Sequence, residues 1–153
     1  MTDFTIERYN DSDEERVLKL WENTWQIAYP TIDFKARSNW WRKYWKEKLS
    51  VHSDIFIATD NKKLIGFIAV NRGECYLDQL VVAVPYWGSG LAKTLVDEAK
   101  KICPNGLTLH VNQDNLRAVK FYEKMDFICV GESFNPYSKR PVYEMSWRPP
   151  SVI

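Results

Sequence analysis

Val81-Val82-Ala83-Val84-Pro85-Tyr86-Trp87-Gly88-Ser89-Gly90-Leu91-Ala92 runs from an apolar strand through a small-residue loop into the start of a helix. The first backbone N–H groups of a helix lack internal acceptors, and the helix dipole favours negative charge there. A strand, a glycine loop and a helix start therefore make an anion site. Glycine lets that backbone approach a phosphate with no Cβ in the way. A plain strand-to-helix turn uses the same small residues, so this stretch alone leaves both readings open. A Rossmann dinucleotide site is disfavoured, because its third glycine would fall at Lys93 and the loop follows a strand deep in the chain.

Working outward, the next informative stretch is Leu109-His110-Val111-Asn112-Gln113-Asp114-Asn115-Leu116-Arg117-Ala118-Val119-Lys120-Phe121-Tyr122, a strand, a helix start and an aromatic pair. Asn115 can cap that helix or offer its amide to a ligand. Tyr122 follows Asn115 by about two helical turns, which puts both side chains on one side. Core packing is the ordinary fate of an aromatic pair and is the reading for Phe121.

Together these stretches resemble the GNAT superfamily of N-acetyltransferases, which use acetyl-CoA. The family's loop carries Gln or Arg, two residues, Gly or Ala, one residue, then Gly or Ala; Trp87, Gly90 and Ala92 stand at those positions. Its following helix opens Asn-x-x-Ala and runs into Phe-Tyr, matched by Asn115, Ala118, Phe121 and Tyr122. Three departures stand out: Trp87 for the Gln or Arg, Ser89 for a common basic residue, and Asp126-Phe127 for the usual Gly-Phe. Asp can adopt the left-handed turn that helix end requires.

The resemblance implies an α/β (α+β) fold with a mixed central sheet of about seven strands and about four helices. It implies that acetyl-CoA lies along Leu80, Val81 and Val82 and that the amides of Trp87, Gly88, Ser89, Gly90, Leu91 and Ala92 face its diphosphate. Leu91 would point inward, Lys93 would partly replace the missing loop charge, and Asn115, Ala118 and Tyr122 would complete the cofactor site. It further implies direct attack by a primary amine, with Tyr122 as general acid to the departing thiolate. A backbone N–H near Val82, freed by a bulge and by divergence from the next strand, would polarise the carbonyl. Asp78 aligns with a position often Glu in the family, where it is either the general base or a polar wall residue. Gln79 should face away from Asp78 on a regular strand. Trp25, Tyr29 and His110 are the expected acceptor-pocket residues, with the Tyr137–Pro141 loop flanking them. A non-catalytic acyl-CoA-binding module on the same fold is the alternative. Dimers are common in the family, so a monomer or homodimer is expected.

Composition sets the outer limits. At 153 residues, 45% hydrophobic and 14% aromatic, the chain suits one domain over 1–153 with a sizeable core. A net charge of +1 without a basic block gives no footprint for a nucleic-acid partner. Cys75, Cys103 and Cys129 show no C-x-x-C spacing, which points to free thiols. His52 and His110 belong to no metal-ligand pattern, so no metal is expected. No apolar run approaches bilayer length and no signal peptide is visible, so a cytoplasmic protein without a membrane partner is expected.

Period-2 and period-3.6 patterns predict the remaining elements. A strand from Phe4 to Tyr9 and a cap at Asn10 precede a helix with Val17, Leu20, Trp21, Thr24, Trp25 and Ala28 on one stripe, stopped by Pro30. A second helix, Asp33 to Leu49, carries Phe34, Trp41, Trp45 and Leu49 along one side. Strands follow at 55–58, 64–70, 75–84, 107–111, 127–130 and 142–145, with helices at 90–102 and 115–125. The order is β-α-α-β-β-β-α-β-α-β-β.

Overall fold

The computed structural model describes residues 4–150; within the second helix the side chain of Phe34, expected on its inner face, lies outside the described residues. Strands β1 (Thr5–Arg8), β2 (Asp54–Asp60), β3 (Lys63–Asn71) and β4 (Tyr76–Val82) pair antiparallel in chain order. Strands β5 (Leu107–Asn112), β6 (Ile128–Phe134) and β7 (Pro141–Trp147) continue the sheet, which runs β1-β2-β3-β4-β5-β7-β6. The β4–β5 junction is parallel, and the others are antiparallel. The β2–β3 turn has positive φ at Asn61 (53°) and Lys62 (70°), the twist that suits a tight hairpin.

Helices cover both faces. On one side lie α1 (Glu14–Ala28) and α2 (Phe34–Tyr44), the latter continuing through a π turn, Trp45–Leu49, into α3 (Ser50–His52). On the other lie α4 (Leu91–Ile102) and α5 (Leu116–Lys124). Asn10 opens the segment before α1: its side chain accepts from the Ser12 N–H at 3.0 Å while its own N–H donates to Asp13 at 2.9 Å. The buried stripe of α1 is Val17, Leu18, Trp21 and Thr24; Leu20 is only partly covered. In the π turn the Ser50 N–H reaches the Trp45 carbonyl. That wider turn holds Trp41, Trp45 and Leu49 on one buried line, because steps of four residues drift off a face at 3.6 per turn.

Central β3 alternates between the two cores. Ile65, Ile68 and Val70 face α4 and α5, while Leu64, Phe67 and Ala69 face α1 and α2. Helix α4 buries Leu91, Leu95, Val96 and Ala99 completely, each large side chain contributing about 1.5–3 kcal/mol. Gly66 makes this approach possible, since a Cβ there would meet the Val81 carbonyl at 3.0 Å and Leu91 at 3.2 Å.

Asp126 has φ 71°, the left-handed turn expected after α5, and the Phe127 N–H donates to the Tyr122 carbonyl at 3.0 Å. The turn fixes the C-terminal end of α5 on the sheet through Phe127, which is 1% exposed. Asp126→Gly is expected to raise stability by a few tenths to about 1 kcal/mol in urea unfolding, because glycine occupies that conformation without Cβ strain.

Candidate active site

Strands β4 and β5 share a single registered pair, Tyr76 with Thr108, and then part. The Ala83 N–H donates across to the Ile65 carbonyl at 2.8 Å. Alternation therefore turns the N–H groups of Leu80 and Val82 to the opposite edge, where β5 has left. The open edge carries main-chain donors, while the Val81 side chain packs into the α1–α2 core and Val82 into the α4–α5 core. The divergence matches expectation; the bulge does not sit near Val82. Register slips between Ala69 and Val70, opposite Gln79 and Leu77, so Asp78 is the surplus residue.

That slip reorients the site. Asp78 and Gln79 turn to the same side, and Gln79 Nε2 donates to Asp78 Oδ1 at 3.2 Å, contrary to the opposite facings of a regular strand. The Tyr44 hydroxyl donates to Asp78 Oδ2 at 2.6 Å, and Trp21 Nε1 donates to Gln79 Oε1 at 3.1 Å. Burial pushes the Asp78 carboxyl above the usual carboxylate range, with the Tyr44 and Gln79 hydrogen bonds opposing it. Burial and the adjoining Asp78 both push the Tyr44 phenol up.

The loop after β4 divides its amides. Trp87 N–H donates to the Val84 carbonyl at 3.0 Å, Ser89 N–H to the Tyr86 carbonyl at 3.2 Å, and Leu91 N–H to Ser89 Oγ at 3.3 Å. These three are engaged within the turn, which corrects the expectation that every amide from Trp87 to Ala92 faces an anion. Gly88 and Gly90 N–H have no acceptor among the described residues. Both glycines have positive φ, 81° and 91°, and a Cβ on either would project into open space. Leu91 is fully buried, as expected, and anchors the helix start. Lys93 pairs with Asp97 at 3.0 Å rather than serving the loop.

Asn115 caps α5, its Oδ1 accepting the Ala118 N–H at 3.2 Å; its amide group has no partner among the described residues. Ala118 and Tyr122 pack in the α4–α5 core. Tyr122 is 8% exposed and lies edge-on to Phe121 and Phe127, ring centres 5.3 and 5.6 Å apart. Burial, with a smaller effect from Tyr76, pushes its phenol up, and its hydroxyl makes no hydrogen bond among the described residues.

A family model described as the acetyltransferase (GNAT) family matches residues 14–127, which span both the loop and α5. The chain belongs to the GNAT acetyltransferase family. It is 33% identical over 132 residues to the peptidyl-lysine N-acetyltransferase YjaB of Salmonella typhimurium, covering 84% of this chain and 86% of that protein. The solution structure of apo YjaB from Escherichia coli superposes with a TM-score of 0.78 at 21% identity, covering 95% and 98% of the two chains. The PaiA N-acetyltransferase of Thermoplasma acidophilum, solved with coenzyme A, gives 0.74 at 20%, covering 96% and 99%.

Acetyl-CoA is the cofactor of this GNAT family, and the chain is an acyltransferase. The residues fit that group: unaccepted Gly88 and Gly90 amides lead into a twelve-residue helix, beside an unpaired strand edge. Of the residues expected in the acceptor pocket, Trp25 and Tyr29 stack with ring centres 5.5 Å apart, and Tyr29 donates to Asp114 at 3.3 Å. Arg140 lies over the Tyr29 ring at 4.9 Å and pairs with Asp114, tying the β6–β7 loop to this wall. His110 Nδ1 lies 2.8 Å from the Tyr76 hydroxyl and its Nε2 4.0 Å from Glu144. A second aromatic wall forms where Trp40 stacks on Tyr44 at 5.3 Å and Tyr137 closes on Trp40 at 4.7 Å. Trp21, Trp25, Tyr29, Trp40, Trp41, Tyr44 and Trp45 crowd the first two helices of the sequence. That pattern reads as mostly core, with two or three rings forming such a wall, whereas no motif singles out Tyr76.

Proposed function

We propose that the chain transfers an acetyl group from acetyl-CoA to a primary amine on a flexible apolar stem, a lysine side chain being the model acceptor. The observation that carries this is Asp78: a half-buried carboxylate at a strand bulge, bonded by Tyr44 and Gln79, beside the aromatic group Trp40, Tyr44 and Tyr137. Aromatic faces suit an alkyl stem and an ammonium head, and the names of the peptidyl-lysine relatives agree with that chemistry.

Acetyl-CoA supplies the thioester carbonyl. The Val82 N–H, unpaired at the strand edge, polarises the carbonyl oxygen. Asp78 takes the ammonium proton, directly or through one water, leaving a neutral nucleophile. As the amide bond forms and the C–S bond breaks, Tyr122 would give its phenol proton to the departing sulfur, and the proton shed by the newly bonded nitrogen would make good the phenol's. Burial holds the phenol proton in place at neutral pH and raises a thiol's proton affinity by the same physics. The remaining cofactor contacts are the Gly88, Gly90 and Ala92 main chain, the Leu80 strand edge, and Asn115 with the small Ala118. Trp25, Tyr29 and His110 border the acceptor.

Thiol release measured over a panel of free amines and lysine peptides tests the acceptor class; turnover confined to amines without an alkyl stem would sink it. Asp78→Asn tests the base. A base acts only when deprotonated, so kcat/KM should fall as pH drops through the raised Asp78 pKa, on a limb above the ordinary carboxylate range. The variant should lose about 10²–10³ in kcat/KM and lose that limb. A parent-like limb in Asp78→Asn would remove Asp78 from this role.

A further inference from the structure

The side chains from Trp87 to Ala92 carry no charge, although an anion site at a helix start ordinarily gains from one. Lys93 does not supply it, being paired with Asp97. Arg117 does stand close. It comes from the first turn of α5, and its Cζ lies 4.3 Å from the Trp87 ring centre. Trp87 is itself fixed at two points, its backbone N–H on the Val84 carbonyl and its Nε1 on the Val82 carbonyl at 2.8 Å. Among the described residues no carboxylate lies within ion-pair distance of Arg117. The stack joins the elements that leave the carboxyl ends of two diverging parallel strands. An indole that occupies one face of a guanidinium leaves its in-plane N–H donors free for a planar, two-point contact.

We propose that Arg117, held by the Trp87 indole, binds a phosphate of the cofactor and replaces the charge missing from the loop. Trp87 is thus a positioning residue rather than a lost contact. The inference rests on acetyl-CoA occupying the Gly88–Gly90 loop. The phosphate is either the diphosphate or the 3′-phosphate, which share this recognition chemistry.

Isothermal titration of the whole chain with CoA, 3′-dephospho-CoA and pantetheine, the last lacking every phosphate, tests it. Arg117→Gln should weaken CoA about 10- to 100-fold, leave pantetheine binding unchanged, and leave the apo melting temperature unchanged because the side chain is exposed. Arg117→Lys should recover part of the loss, and Trp87→Ala should reproduce part of it while Trp87→Phe does not. If Arg117→Gln also weakens dephospho-CoA, the diphosphate is the partner; if it weakens CoA alone, the 3′-phosphate is. CoA affinity within twofold of the parent in Arg117→Gln overturns the role of Arg117 and leaves the cofactor site standing. A parent that binds dephospho-CoA no better than pantetheine overturns both.

Discussion

Tyr122→Phe is expected to lower kcat by about 10²–10³ while CoA affinity stays within about twofold of the parent. Removing the hydroxyl deletes the proposed proton source and little else, because the ring fills the same space beside Phe121 and Phe127 and the hydroxyl holds no neighbour among the described residues. A structural tyrosine would behave differently, with affinity and stability moving together. Donor chemistry offers a second discriminator. A thioester whose leaving thiol is more acidic needs less help from the phenol, so the deficit of Tyr122→Phe should shrink with such a donor. Unchanged turnover in Tyr122→Phe would remove the general-acid role outright.

Trp41→Ala is expected to destabilise the chain by about 3–5 kcal/mol in denaturant unfolding, enough to threaten folding altogether. Trp41 is completely buried, stacked on Trp21 with ring centres 4.3 Å apart and packed against Trp45. Its loss opens a hole where α1 and α2 meet the sheet. Trp41→Phe should be far milder. The indole Nε1 is buried without a hydrogen-bond partner among the described residues, so replacing it forfeits volume but also relieves an unsatisfied donor. Equal losses in the two variants would show that the N–H is satisfied in solution. The consequence for chemistry follows from sequence distance: Trp40 and Tyr44 ride on the same helix, so loosening Trp41 loosens the partner of Asp78 as well.

The overall order of strands and helices was legible because the glycine loop, the capping Asn115 and the apolar periods are local signals. Strand ends were not. β2, β3 and β6 run further than their apolar cores, extended by pairing with neighbours that a single strand's pattern cannot announce. A bulge in this strand was expected from the family resemblance, near Val82, but its place at Asp78 was invisible for the same reason. Leu77-Asp78-Gln79-Leu80 fits plain alternation, and only the register of β3 reveals that one residue is surplus. Gly88, Gly90, Asn115 and Tyr122 were legible as candidates because each sits in a motif. Tyr44 could not, since what sets it beside Asp78 is the packing of α2 on the sheet. Trp87 was read as a deficit because its own chemistry lacks charge; the cation stacked on it comes from a helix far along the chain, a relation that exists only after folding.

The surplus residue in β4 has one more effect. With a period of two, a strand normally carries one phase from end to end, and a single slip turns every side chain over. Here the phase is reset at Asp78, so Leu77 and Leu80 serve one face while Asp78 and Gln79 together serve the other. The half that carries Asp78 and the half that carries Val82 are therefore keyed to separate rulers, and a shift in one need not invert the other.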